Sequence, residues 1–242
     1  MKNLIVGSLI ALAASQAAGC IITSGDDTED AFITANWKIT HLAPEMNISC
    51  PPGFDTAALY NQPVDSNFNP FGSAIVDLFD CEAHSGTSAP LAPGIYQSWI
   101  EIANHDNTSV YAQSLSAIVD VIDQDKTFSA QILENGGYFQ LQWNLVGAQS
   151  NQSLSCAAAG AAGGVDVTGT VVSSTEANSD VFDCEDFFGI TAGYRAATYT
   201  VSVSALDGSE SPLGIAPAMT KTIGERNAVT NLGTINIPID GL

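Results

Sequence analysis

From residue 32 onward the chain alternates. Residues 32–39, 74–81, 95–102, 165–171, 197–205 and 234–239 place apolar and polar side chains by turns, the signature of strands with one buried face. Clusters of Gly, Pro, Asn, Asp and Ser separate these runs. No long window after the N-terminal segment carries a helical stripe, and only residues 116–122 read as a short turn of helix. The pattern predicts an all-β chain. Alternation also assigns faces. Ile33, Ala35, Trp37 and Ile39 share one side, as do Phe139, Leu141, Trp143 and Leu145, so both tryptophans read as core anchors. Tyr96, Ser98, Ile100 and Ile102 point inward, matched by Tyr199, Val201, Val203 and Ala205. Trp99 then points outward between Gln97 and Glu101.

The runs occur twice. AFITANWKI at 31–39 aligns with GYFQLQWNL at 137–145, and Trp37 and Trp143 are 106 positions apart. Each tryptophan is followed 13 residues later by a cysteine, Cys50 or Cys156. Each repeat then reaches Phe-Asp-Cys-Glu, at Phe79-Asp80-Cys81-Glu82 and Phe182-Asp183-Cys184-Glu185. A glycine lies five residues past the second cysteine (Gly86, Gly189), and a tyrosine fifteen past it (Tyr96, Tyr199). This is a tandem duplication with repeats at 31–135 and 136–242 and a boundary near Asn135-Gly136-Gly137. Two β-sandwiches of six or seven strands each fit that length. In the tetrapeptide, Phe and Cys are expected to face the core and Asp and Glu the solvent.

The first twenty residues follow a different rule. Lys2 is a short basic start, Leu4 to Ala14 is apolar, and small residues lead to Ala17-Ala18-Gly19-Cys20. The run is too short to span a bilayer and reads as a secretory signal peptide, residues 1–19. Its end resembles the lipobox of bacterial lipoproteins, with Ala17 where Leu is commonest. That resemblance implies cleavage before Cys20, lipidation of its thiol and amine, and stable membrane attachment through several acyl chains. Position 21 is Ile and not Asp, which by the same resemblance implies the outer membrane. Residues 20–30 then form the lipidated cysteine and an acidic tether. With Cys20 lipidated, four of the five cysteines remain, and four allow three pairings. The duplication selects Cys50–Cys81 and Cys156–Cys184, each loop closure contributing roughly 3 kcal/mol in the chain-entropy model.

Pro93-Gly94-Ile95-Tyr96 and Thr198-Tyr199-Thr200-Val201-Ser202-Val203 resemble the G-x-Y-x-V strand of bacterial Ig-like and prealbumin-like extracellular modules. In an immunoglobulin domain the core Trp follows the first Cys, whereas here it precedes it. The layout as a whole is similar to envelope lipoproteins of myxobacteria and related Gram-negatives, a resemblance that supplies an architecture and no activity.

Charge narrows the function. The chain of 242 residues holds 26 acids against 6 bases, a formal net charge of −20, which argues against nucleic acid as a partner. Only 13% of residues are charged and 45% are hydrophobic, so the acidity belongs to a folded surface and not to a disordered tail. No G-x-S-x-G, H-E-x-x-H, S-x-x-K, P-loop or G-x-G-x-x-G occurs. His41, His84 and His105 all fall in the first repeat without equivalents in the second, and no catalytic or metal residues are expected. Asp120-x-x-Asp123-x-Asp125 is the densest acidic cluster, but it lacks the Gly and terminal Glu of an EF-hand loop and precedes Lys126. A structural calcium ion is therefore unsupported by a motif, and no cofactor is expected.

The repeats differ where function is expected. Trp99 has Ser202 as its counterpart, and the 60–72 loop carries Tyr60, Phe68 and Phe71 among Asn61, Asn67 and Asn69. Aromatics interleaved with amides suit sugar stacking or a protein contact. The second repeat has its own aromatics, Phe187-Phe188 and Tyr194-Arg195, and the two clusters are alternatively the interface between repeats. The expectation is a lipid-anchored, non-catalytic envelope protein recognising a glycan or an envelope partner. A periplasm-facing accessory subunit is the alternative.

Overall fold

The computed structural model describes residues 30–122 and 124–241. The signal segment, Cys20, most of the acidic tether and Asp123 lie outside the described residues. The alternating runs become β1 (Ile33–His41), β3 (Thr56–Val64), β4 (Ile75–Asp80), β6 (Ile95–Ala103) and β9 (Lys126–Leu133). In the second half they become β10 (Gly136–Gly147), β12 (Gly164–Val171), β13 (Ala177–Phe182), β16 (Ala197–Leu206) and β19 (Ala228–Ile239).

Shorter strands complete the sheets and raise the count above six or seven per sandwich. They are β2 (Met46–Ile48), β5 (Ser85–Thr87), β7 (Val110–Gln113) and β8 (Ala117–Asp120) in the first half. The second half adds β11 (Ser153–Leu154), β14 (Phe188–Ile190), β15 (Tyr194–Arg195), β17 (Pro212–Ile215) and β18 (Met219–Ile223). The stretch read as a helical turn is β8 instead. Its edge pairing with β6, Tyr96 opposite Val119 and Ser98 opposite Ala117, overrides the local pattern. Among the described residues the one α-helix is a single turn, α1 (Cys156–Ala159).

Each half is a sandwich of two sheets. In the first, β1 pairs with β2, β5 and β9, and β3 and β6 form the centre of a facing sheet flanked by β4, β7 and β8. In the second, β10 pairs with β11, β14, β15 and β19, and β12 and β16 take the places of β3 and β6. Their cores are two separate clusters, one around Trp37, Leu59, Ile100 and Tyr96, the other around Trp143, Val167, Val203 and Tyr199.

The matched spacings of the two repeats have matched roles. The buried indole Nε1 of Trp37 donates to the Cys81 carbonyl at 2.8 Å, and that of Trp143 to Cys184 at 3.0 Å. Tyr96 and Tyr199 each donate a hydroxyl to the carbonyl four residues upstream, Ala92 and Arg195. Disulfides join Cys50 to Cys81 and Cys156 to Cys184. Gly86 and Gly189 lie under the rings of Phe79 and Phe182, where a Cβ would sit 2.5 and 2.9 Å from ring carbons.

The tetrapeptide is not one continuous strand. It leaves the sheet and turns into a 3-10 helix at Cys81–Ala83 or Cys184–Asp186, with Asp80 or Asp183 accepting the backbone N–H two residues on. Those aspartates are caps. Glu82 faces solvent as expected and also accepts from Cys50 N–H at 2.8 Å.

Only Glu134 and Asn135 separate β9 from β10. Specific polar contacts join the two halves here, with Gly193 close against Leu133. Asn227 is 4% exposed; its Oδ1 accepts from Leu133 N–H at 2.7 Å and its Nδ2 donates to the Gln113 carbonyl at 2.8 Å. The Arg226 guanidinium lies 4.8 Å from the Tyr111 ring centroid. His41 Nδ1 meets Glu134 at 2.6 Å while Asn135 Nδ2 donates to the Leu42 carbonyl. Gly136 and Gly137 are required here, since a Cβ on either would overlap the carbonyl oxygens of Tyr194 and Ala228.

Candidate functional site

The site is built on β3 and β6, whose antiparallel register sets Tyr60 opposite Trp99. Their inward neighbours hold that register: Leu59 faces Ile100, and Ser98 Oγ donates to Asn61 Oδ1 at 2.8 Å, all four fully buried. A slip by one residue would expose this layer, so the outward pair is fixed by the core beneath it. The Tyr60 and Trp99 rings stack, with centroids 4.9 Å apart and planes 5° from parallel. Trp99 Nε1 donates to Glu101 at 3.2 Å, and Asn107 Nδ2 donates to the Tyr60 hydroxyl at 3.2 Å. Burial raises the Tyr60 pKa, so its hydroxyl stays protonated and remains a donor. Each ring spends one face on the other and is half-buried.

This pair is the centre of a wider apolar surface. On β4, Val76 stands opposite Tyr60 and Leu78 opposite Ala58, and they are 40% and 54% exposed. On β8, Ile118 stands opposite Gln97 and is 47% exposed. Gln62 and Gln97 face each other on the next rung. The result is an aromatic and aliphatic face edged by amides, with Glu101 as the charge nearest its centre.

Sequence reasoning named Trp99 and Tyr60 but missed Val76, Leu78 and Ile118. The signal was present for two of them, because Phe79 facing inward puts residues 78 and 76 outward by alternation. The same reading grouped Phe68 and Phe71 with Trp99, and the structure separates them. Both phenylalanines are exposed at 56% and 58%, and no ring contact joins them to the Tyr60–Trp99 pair among the described residues. Asp65 organises their loop, its Oδ1 accepting from the N–H groups of Asn67 and Asn69. The Asn69 backbone hydrogen bond, first among several, lowers the Asp65 pKa. The loop is tied to β3 by Gln62 Nε2, which donates to the Phe71 carbonyl at 2.8 Å, and by Phe71 N–H, which donates to the Pro63 carbonyl at 3.0 Å.

The same positions in the second sandwich carry hydroxyls. Thr168 stands opposite Ser202 and Ser179 where the first sandwich has Tyr60, Trp99 and Val76. Thr170, Thr200 and Thr220 follow across the next rung, and Thr198 and Thr222 Oγ1 atoms meet at 3.0 Å. One architecture therefore centres an aromatic and aliphatic face in one repeat and a hydroxyl-rich face in the other, where Asp166 and the exposed Val181 stand at the positions of Ala58 and Leu78. The second repeat's aromatics divide: Phe187 and Phe188 are about 40% exposed, whereas Tyr194 is buried in the core. Arg195 pairs with Glu176 at 2.9 Å.

The remaining candidates have local partners. His41, His84 and His105 lie against the carboxylates of Glu134, Glu82 and Asp55. Asp120 accepts from Ile122 N–H within its own turn, and Asp125 accepts from Phe32 N–H just before the first strand. Among the described residues no three His, Cys, Asp or Glu side chains gather as a metal site. Matching depressions of about 520 and 500 Å³ lie beside the disulfide ends of the sandwiches, lined by Phe182, Asp183 and Gly164 or by Phe79, Asp80 and Thr56.

No protein-family model matches the chain, and no curated protein matches it. Among solved structures it is similar to a leucine-rich repeat protein of Bacteroides thetaiotaomicron (12% identity, TM-score 0.36), over 86% of this chain and 26% of that one. It is similar to the minor pilin of Streptococcus agalactiae (13%, TM-score 0.30), over 88% and 97% of the two chains. It is also similar to the fimbrial anchor protein of Porphyromonas gingivalis (10%, TM-score 0.29), over 77% and 81%. Scores of this size identify neither a family nor a function.

Proposed function

We propose that the chain is a lipid-anchored recognition module of the outer membrane, non-catalytic and without a cofactor, whose ligand is a neutral glycan. Its units are the repeats at 31–135 and 136–242, and its anchor is Cys20 after removal of residues 1–19. The observation that carries the reading is the contrast between equivalent sheet faces: Tyr60, Trp99, Val76 and Ile118 in one, threonines and serines at the same positions in the other, with Leu78 matched by Val181. A duplicated fold has no structural need for a different outer face, and exposed apolar surface set in amides is a recognition surface. The free faces of the two rings suit the C–H faces of a sugar, and Gln62, Gln97 and Asn107 suit its hydroxyls. A net charge of −20 disfavours acidic polymers.

Protease shaving of intact cells, read by mass spectrometry, tests the location. Release of peptides from both repeats supports a surface module and leads to a panel of neutral polysaccharides. Protection until the outer membrane is permeabilised would overturn the surface assignment and favour an envelope protein as the partner of the same face.

A further inference from the structure

We infer that each sandwich contains a mechanical clamp, and that the chain carries tensile load between its ends. The first and last strands of each half are neighbours and run parallel. β1 and β9 are in continuous register from Ile33 opposite Lys126 to Thr40 opposite Leu133. β10 and β19 run from Gly137 opposite Ala228 to Gly147 opposite Ile239, with one bulge. Because the terminal strands are parallel, the chain enters each sandwich at one end and leaves at the other. A pull on the two ends slides one strand along its neighbour, so the evenly spaced bonds of the parallel ladder are stretched together. An antiparallel hairpin pulled at its open end parts one bond at a time, at lower force.

Further contacts brace the clamps. In the first half, Phe32 N–H donates to Asp125 at 2.9 Å beyond the start of the ladder, and Glu134 N–H donates to the Thr40 carbonyl beyond its end. In the second half, Ala148 N–H donates to Ile239 and Asp240 N–H to Leu213. Between the clamps there is almost no slack. Glu134 and Asn135 are the only residues outside a strand, and Asn135 is held by hydrogen bonds to Leu42 and Ala196. Both disulfides lie between the terminal strands in sequence, so they limit how far a ruptured sandwich can extend.

The clamp stands on strand register alone. Its use in the cell rests on the proposed anchorage at the N-terminal end, through which any pull on the second sandwich passes along β1 and β9. The test is single-molecule force spectroscopy on the mature chain with handles in two geometries. Handles at the two chain ends load both ladders in shear. Handles at residue 30 and at Gln124, just before β9, peel β1 from β9. The expected result is two high-force events in the first geometry and a several-fold lower force for the first sandwich in the second. Reduction of the disulfides should lengthen each end-to-end event by roughly 100 Å, from about 3.4 Å for each bridged residue, with bridge separations of 31 and 28 residues. Equal forces in the two geometries would overturn the clamp. A Trp99 variant that loses ligand but keeps its rupture forces would separate failure of the recognition face from failure of the clamp.

Discussion

Replacing Asn227 by alanine tests how the two sandwiches are joined. The side chain is 4% exposed and sits at φ 62°, a left-handed conformation that asparagine tolerates better than alanine. Alanine removes the acceptor of Leu133 N–H, a fully buried donor, and the donor to the Gln113 carbonyl, which is nearer solvent. An orphaned buried group costs about 1–3 kcal/mol and the second loss about 1 kcal/mol, so the two together cost about 2–4 kcal/mol. Left-handed alanine adds roughly 1 kcal/mol. In Tm this is a fall of roughly 10 °C for a chain of this size. The assay is urea and thermal unfolding followed by tryptophan fluorescence and far-UV circular dichroism. Asn227→Gly separates the terms, because glycine accepts the backbone conformation but restores neither hydrogen bond. It should recover no more than about 1 kcal/mol of the alanine loss. Wild-type stability in the glycine variant would refute the hydrogen-bond reasoning.

Two other outcomes follow from the duplicated core and its tyrosines. Gly86→Ala and Gly189→Ala each push a methyl into a phenylalanine ring, and each should cost about 1–3 kcal/mol in denaturant unfolding; a neutral effect at both would show the rings to be free to move away. All six tyrosines have raised pKa values, with burial the leading cause, and Tyr138 reaches about 12. A raised tyrosine pKa means that above pH ~10 the unfolded chain has lost protons the folded chain keeps, so stability falls as pH rises through that range. Tyrosinate absorbance should therefore appear together with loss of circular dichroism, and early ionisation of all six with the fold intact would contradict this.

The long strands were legible because each buries one face, and alternation over six or more residues such as 33–39 admits one reading. The short ones were not, because three residues such as Ser85–Thr87 carry no period; their pairing with β1 defines them. The disulfides were legible from the repeat, which brings both cysteine pairs to the same place in the fold. The caps at Asp80 and Asp183 were hidden because alternation assumes the strand continues, whereas the chain turns. At the candidate site, the outward direction of Trp99 could be read from β6 alone. Its stacking partner could not, since only the register of β3 against β6 sets Tyr60 rather than Phe68 or Phe71 opposite it. The junction lay beyond the sequence for the same reason: Asn227 and Leu133 are 94 positions apart.

The face itself is tested by exchanging it for its own counterpart. Tyr60→Thr with Trp99→Ser places on β3 and β6 the residues that Thr168 and Ser202 supply at the same register in the second sandwich. Binding of the mature protein and of this variant to immobilised neutral polysaccharides is the measurement, with circular dichroism confirming the fold. Binding by the parent chain and its loss in the folded variant is the result predicted. Equal binding by both would contradict the assignment of recognition to this face.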